Sequence, residues 1–225
     1  SEEEIAVTIG KVDEVVEIEL VNYFIKGNIA LTKVDEDYPD NKLSGAVFEV
    51  YSDTNGDGKL DKDDTLLGEM KELDGGVYQM SELRYGKYLV KETKAPTGFV
   101  LDENVYAVSI EENGKTYTVE NKAGVGFINA AQKGSLKIVK TSSDGKVEGF
   151  SFRVTGVDYD QTFKTDKNGE IVIEGLRIGD YTVSEVSDKA SAGYILPADK
   201  QATVKVDATA IVQMHNEFRD TPKTG

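Results

Sequence analysis

The chain of 225 residues has room for about two domains of ~100 to 150 residues each, and its 41 acidic against 26 basic side chains leave a formal charge of -15. That charge excludes binding driven by attraction to nucleic-acid phosphates or anionic headgroups, while 39% hydrophobic and 30% charged residues fit a water-facing globular protein. The lack of Cys and a single His, His215, exclude disulfides, thiolate metal centres, cysteine nucleophiles and His-rich metal sites, and no apolar run approaches the ~18 residues of a membrane span.

Apart from one acidic loop, the chain reads as short alternating runs punctuated by Gly, Asp and Asn, which is an all-β pattern. Residues 1–26 come first. Ile5-Ala6-Val7-Thr8-Ile9 and Val15 to Phe24 predict the two strands of a hairpin, either the last hairpin of an earlier repeat or an extension packed on the domain that follows. A first full domain is expected over 27–132, with strands at Ile29-Ala30-Leu31, Val47 to Tyr51 and Tyr88-Leu89-Val90. A second is expected over 133–219, with a strand at Ile171-Val172-Ile173, and residues 220–225 form a tail.

The division rests on a repeat. The offset that carries Lys33 onto Lys140 also carries Gly27 onto Gly134 and Asn22 onto Asn129. Tyr85-Gly86-Lys87-Tyr88-Leu89-Val90-Lys91-Glu92 likewise matches Ile178-Gly179-Asp180-Tyr181-Thr182-Val183-Ser184-Glu185.

Side chains alternate faces along a strand, so a polar residue in step with apolar neighbours points into the core. By this test Lys33 (with Ile29 and Leu31) and Lys140 (with Leu136 and Ile138) point inward. So do Glu92 (with Tyr88 and Val90), Glu185 (with Tyr181 and Val183), Asn129 and Asn216. A buried lone ammonium or carboxylate is costly and is normally paired or neutralised. One reading is a buried Lys–Glu ion pair capped by Asn, or a lysine reaching out to water. The other is chemical: burial favours a neutral, nucleophilic amine and a protonated acid able to hydrogen-bond the Asn carbonyl. Attack of the amine on the amide carbon then expels ammonia and leaves a Lys–Asn isopeptide bond, formed once and without cofactor.

Between the second and third runs lies Asp53-Thr54-Asn55-Gly56-Asp57-Gly58-Lys59-Leu60-Asp61-Lys62-Asp63-Asp64. Its spacing fits a twelve-residue Ca²⁺ loop: Asp53, Asn55 and Asp57 at alternating positions, Gly58 at the turn, the Lys59 carbonyl, then Asp61 and Asp64. Asp64 stands where Glu is usual. The flanks read as strands, so the expectation is a static clip on a hairpin, against a metal-free acidic turn.

Three segments carry a family resemblance: Gly27 to Asp35 with its Gly-x-x-x-Leu-x-Lys-x-Asp pattern, Leu43-Ser44-Gly45-Ala46-Val47-Phe48-Glu49-Val50-Tyr51, and Gly86-Lys87-Tyr88-Leu89-Val90-Lys91-Glu92-Thr93-Lys94-Ala95-Pro96-Thr97-Gly98-Phe99. The chain resembles the collagen-adhesin B-type (CnaB, SpaA-like, prealbumin-like) domains of Gram-positive surface proteins and pilins. The resemblance implies tandem immunoglobulin-like β-sandwiches. It also implies cross-links from Lys33 to Asn129 with Glu92 as catalyst, and from Lys140 to Asn216 with Glu185. In the second domain Ser187 to Tyr194 lacks the Ala-Pro step, which predicts a looser loop after Glu185.

Thr221-Pro222-Lys223-Thr224-Gly225 resembles a sortase sorting motif with Thr221 in place of Leu, which implies transfer of the Thr224 carboxyl and a secreted, cell-wall-anchored or pilus location. Neither a leader nor a hydrophobic tail is present, and a mature form or an excised piece is expected. Lys26 and Lys133 lie at the domain junctions as candidate polymerisation lysines or ordinary linker charges. The reading is therefore a structural stalk or anchoring module, not an enzyme beyond its own single-turnover cross-linking. Its expected partners are a sortase and the cell wall or other pilin subunits. The alternative is an adhesin whose loops bind a host matrix protein or glycan; the absence of Trp disfavours an aromatic platform for it.

Overall fold

Period-two alternation of buried side chains marks the strands that open and close the domains; the computed structural model describes residues 5–13 and 15–219 and contains no helix among them. The first domain holds β1 (Lys26–Asp35), β2 (Val47–Ser52), β3 (Thr65–Glu69), β4 (Lys71–Asp74) and β5 (Val77–Arg84). It continues with β6 (Gly86–Lys94), β7 (Val105–Ile110), β8 (Thr116–Thr118) and β9 (Phe127–Asn129). The second holds β10 (Lys133–Ser142), β11 (Ser151–Gly156), β12 (Tyr159–Lys164), β13 (Glu170–Arg177), β14 (Gly179–Glu185), β15 (Tyr194–Ile195), β16 (Lys200–Val204) and β17 (Thr209–Phe218).

Each domain is two sheets packed on one core. In the first, the order β4-β5-β1-β8, with β9 also on β1, faces β3-β2-β6-β7. Ile29, Leu31, Phe48, Val50, Tyr78, Val90, Ile110 and Phe127 fill the space between. In the second, β13-β10-β17-β15 faces β12-β11-β14-β16 around Leu136, Ile138, Phe150, Phe152, Val154, Tyr181, Val183 and Met214. The tyrosine of each Tyr88 and Tyr181 motif donates its hydroxyl to the carbonyl four residues upstream, Arg84 at 2.7 Å and Arg177 at 2.9 Å, which pins the same corner in both repeats.

The first strand of each domain pairs in parallel with the last, β1 with β8 and β9, and β10 with β17; the other strand pairs are antiparallel. Both first strands carry a register shift after their opening glycine, between Gly27 and Ile29 and between Gly134 and Leu136. Gly134 is obligatory there, because a Cβ would stand 2.1 Å from the Lys205 carbonyl oxygen. The closing strands differ. β17 is continuous over ten residues, whereas β8 and β9 are three-residue pieces separated by the segment from Val119 to Gly126.

Residues 5–13 and 15–25 correct one expectation: Ile5 to Ile9 and Val15 to Phe24 form no strands, and Ile9, Val12, Val15, Leu20 and Tyr23 are exposed. Their alternation is that of a strand, but a strand is completed by a ladder of backbone partners, and these two runs form no ladder with the sheets of the first domain; contact with that domain comes at Ile25, whose carbonyl accepts from the Tyr85 amide, and at Phe24, whose ring centroid lies 4.2 Å from the Arg84 guanidinium.

Candidate functional site

Inward parity brings the predicted residues together in both domains. β1 carries Lys33 and β9 carries Asn129; in their register Lys33 faces Phe127 and Asp35 faces Asn129, so the lysine and asparagine lie on one face, two residues apart along neighbouring strands. Lys33 is fully buried, its ammonium 3.1 Å from the Phe127 carbonyl oxygen and 5.6 Å from the Phe127 ring centroid. Glu92 comes from the opposite sheet, where it pairs with Phe48. Asn129 donates its side-chain amide to both Glu92 oxygens, at 3.1 and 2.9 Å. Edge-to-face contacts of Phe48 with Tyr78 and Phe127, and of Tyr106 with Phe127, wall the site from water.

The second domain repeats the arrangement through a longer ladder. Lys140 faces Met214 and Ser142 faces Asn216, again setting lysine and asparagine two residues apart on one face. Asn216 donates to Glu185 at 2.7 Å, and Lys140 donates to the Thr141 carbonyl beneath the Phe150 ring, 4.3 Å from its centroid. Glu185 is only partly buried, so this site is the more open of the two. The loop after it is not loose: Asp188 accepts hydrogen bonds from Ser151 and from the backbone of Ala190 and Ser191, replacing the missing Ala-Pro step with a capped turn.

The electrostatics favour neutral partners. Burial lowers the Lys33 pKa from its ordinary 10.5 to about 8, against the opposing pull of Glu92, Asp102 and Asp35. Burial also lowers that of Lys140 and raises those of Glu92 and Glu185. Neither lysine forms a salt bridge with its glutamate, which removes the simple ion-pair reading. Among the described residues, the buried side-chain polar atoms without a hydrogen-bond partner are Asn129 Oδ1, Asn216 Oδ1 and Glu185 Oε2. All three belong to these two sites, where an unmade hydrogen bond costs about 1–3 kcal/mol. The amide nitrogen, not the carbonyl expected from the sequence, faces the glutamate, so the acid is set against the prospective leaving group.

A family profile described as the SpaA prealbumin-like fold domain matches residues 27–123 and 134–218. The chain belongs to this SpaA family. Among solved structures, the Bacillus anthracis TIE protein is 26% identical with a TM-score of 0.63 over 87% of this chain, which spans 34% of that one. The pilus adhesin SpaC from Lactobacillus rhamnosus GG (14% identity, TM-score 0.51, 87% of this chain and 31% of that) shares the fold. So does a C-terminal fragment of SpaC (13%, 0.51, 88% and 99%). No curated protein sequence matches the chain.

Asp102 and Asn121 of the first SpaA domain were not singled out by sequence. The Asp102 amide donates to Glu92 at 2.8 Å, and its carboxylate accepts from Tyr106 at 2.6 Å and Asn121 at 2.8 Å. Asn121 in turn pairs with both backbone groups of Ile128, accepting from the nitrogen at 2.6 Å and donating to the oxygen at 2.8 Å. Nothing local marks these residues, since both lie in loops outside any alternating run.

The acidic loop is tightly folded on its own carboxylates. Asp53 is buried and accepts from Gly56 and Gly58, Asn55 accepts from Asp57, Asp57 from Lys59, and Asp61 from Asp63. Asp64 reaches back to accept from Thr54 and Asp61, which closes the loop from its last residue to its second. Among the described residues no group of three or more His, Cys, Asp or Glu side chains is gathered to hold a metal. Any cation would need the mixed oxygen set that includes Asn55 and the Lys59 carbonyl, donors whose chemistry suits Ca²⁺.

The two SpaA domains meet through Arg177, which grips Asp35 and Asp37, while Lys133 pairs with Asp37 at 3.2 Å. Lys26 pairs with Glu82 at 2.8 Å, so both junction lysines carry acidic partners. His215 is exposed beside Thr141 and Glu217. The motif from Thr221 to Gly225 lies outside the described residues.

Proposed function

We propose that this chain is a structural stalk or anchoring module of a Gram-positive cell-wall surface protein or pilus, and that each SpaA domain ties its first strand to its last by an internal isopeptide bond. One observation carries the reading. In both domains a buried lysine and a buried asparagine lie two residues apart on parallel neighbouring strands, with a glutamate from the facing sheet on the asparagine amide.

The reaction uses only these groups. The neutral Lys33 amine attacks the Asn129 side-chain carbon and forms the new C–N bond; protonated Glu92 gives its proton to the amide nitrogen and regains one from the proton shed by the amine. The C–Nδ2 bond breaks and ammonia leaves, so lysine plus carboxamide gives a secondary amide plus ammonia. Lys140, Asn216 and Glu185 do the same in the second domain. Burial that shifts both amine and acid toward their neutral forms supports this step, because a fully charged pair would hold the nucleophile protonated.

Tension entering at β1 and leaving at β9 would then pass through a covalent bridge and not through the intervening sheet. The loop from Asp53 to Asp64 would hold Ca²⁺ through Asp53, Asn55, Asp57, the Lys59 carbonyl, Asp61 and Asp64, and the ion would supply positive charge that lets these carboxylates sit close together. The tail from Thr221 to Gly225 would be the substrate of a sortase that joins the chain to the wall or to another subunit.

Intact mass measurement with peptide mapping tests the central claim. The expected result is the loss of one ammonia per domain, with branched peptides joining Lys33 to Asn129 and Lys140 to Asn216. Unmodified mass overturns it.

A further inference from the structure

We propose that Asn121 and Asp102 are positioning residues for the first domain's cross-link, forming a side-chain brace that sets Asn129 against Lys33 where the sheet alone does not. The proposal rests on the isopeptide reading above and deepens it.

The two domains place the same asparagine by different means. In the second, Asn216 sits in an uninterrupted strand held to β10 by a ladder running from Ser135–Thr209 to Ser142–Asn216. In the first, the equivalent strand is broken, and β9 meets β1 at only Lys33–Phe127, Val34–Ile128 and Asp35–Asn129. A ladder that short leaves its terminal residue weakly fixed. Gly126 brings the backbone in close at this point, since a Cβ there would stand 2.8 Å from the Thr32 carbonyl oxygen.

Asn121 supplies what the broken strand lacks. Its amide pairs with both backbone groups of Ile128, the residue before Asn129, on the edge that β1 does not use. The same amide is anchored to Asp102 Oδ2, and Tyr106 and Asn104 hold the Asp102 carboxylate in turn. Asp102 then reaches the other reactant: its backbone N–H donates to Glu92 Oε2. One connected network thus fixes both the acid and the strand that bears the electrophile. The second domain has no counterpart on Glu185 Oε2, which is left without a partner.

Positional errors of about 1 Å cost up to ~100-fold in rate when geometry does the work. Neither Asn121 nor Asp102 exchanges a proton with the reacting atoms; their part is to hold Ile128 and Glu92.

The test follows ammonia loss in each domain of the full chain by time-resolved intact mass and peptide mapping after rapid purification. Asn121→Ala is expected to slow first-domain conversion by about 10- to 100-fold while the second domain bonds fully. Asn121→Asp sets two carboxylates together and is expected to be as slow. Adding Asp102→Asn restores a donor between positions 102 and 121 and an acceptor for the Ile128 N–H, and is expected to recover most of the rate, which a general loss of stability would not do. Wild-type conversion with equally fast Asn121→Ala overturns the brace alone, and an unmodified wild-type first domain overturns the cross-link and the brace together. If Asn121→Ala does not fold, the double exchange decides: recovered bonding supports the brace, and a folded but unreacted first domain overturns it.

Discussion

The Arg177 guanidinium of the second domain closes on the Asp35 carboxylate of the first with two hydrogen bonds of 2.7 and 2.8 Å. Asp35 is almost wholly buried, two residues beyond Lys33 and directly opposite Asn129 in the sheet. The junction between domains is therefore built onto the end of the cluster formed by Lys33, Glu92 and Asn129. Around it Arg177 lies over Tyr38 and Phe99 with centroid distances of 4.9 and 5.9 Å, and the Ile178 amide donates to the Gln132 carbonyl.

Arg177→Ala leaves Asp35 without its charged partner and should cost about 2–4 kcal/mol of junction stability, below the full range for deeply buried pairs because Arg177 keeps some water contact. Spin-label distances across the two domains should broaden in the variant while each domain keeps its own melting transition. An unchanged distance distribution would show that Arg177 does not set the angle. Burial raises the Asp35 pKa, but the hydrogen bonds from Arg177 and nearby backbone outweigh it and the net shift is downward. The stability this contributes is present above the ordinary 3.8 and is lost as pH falls through the lower folded value, so the wild-type junction should loosen only in strong acid.

Glu92→Ala should leave the first domain at unmodified mass with the second still bonded. By analogy with loop closure over about 100 residues, the missing cross-link should cost at most ~5 kcal/mol. Two separate calorimetric transitions are expected, only the first shifted downward. Loss of the second domain's bond in this variant would contradict independent sites.

Asn129→Ala keeps Lys33 as a free buried amine and exposes its titration. Because the folded pKa is lowered to about 8 by burial, the unfolded chain binds a proton that the folded chain does not, and stability should rise as pH rises from about 8 toward 10.5. Glu92 works the other way at lower pH. Its raised folded value gives stability present below 4.5 and lost as pH climbs through that value. A wild type cross-linked as proposed, with its Lys33 nitrogen in an amide, should lack the alkaline rise in denaturant titrations of the first domain.

Calcium should raise the first domain's melting temperature and leave the second unchanged, and a chelator should reverse the effect. Asp57→Ala removes a proposed ligand whose side chain has one described hydrogen bond, accepted from the Lys59 amide, so it should abolish the calcium response with little change in the metal-free melting point. A melting curve indifferent to the ion would identify the loop as a self-capped acidic turn.

Lys33, Glu92, Asn129 and their counterparts were legible in the sequence because facing is a local property of a strand: each breaks the apolar side of its own run. The same logic predicts strands at Ile5 to Ile9 and at Val15 to Phe24 that do not form, since alternation marks the capacity to pair and not the presence of a ladder. Asp102 and Asn121 were invisible because their roles arise from loops that return to β6 and β9 from distant chain positions. Asp35 stood in a recognised motif, yet its partner lies in the other domain and no pattern within either repeat points to Arg177. The Ser187 to Tyr194 loop misled for a related reason: a missing Ala-Pro step suggested slackness, while Asp188 supplied the order by capping.

The parallel pairing of β1 with β9, and of β10 with β17, means that the chain enters each domain at one pole and departs from the other. A ten-residue opening strand spans about 33 Å. Duplicating one such unit in the gene therefore adds a fixed increment of length and hands the newcomer the same entry and exit points, so the separation of the two chain ends becomes a matter of copy number.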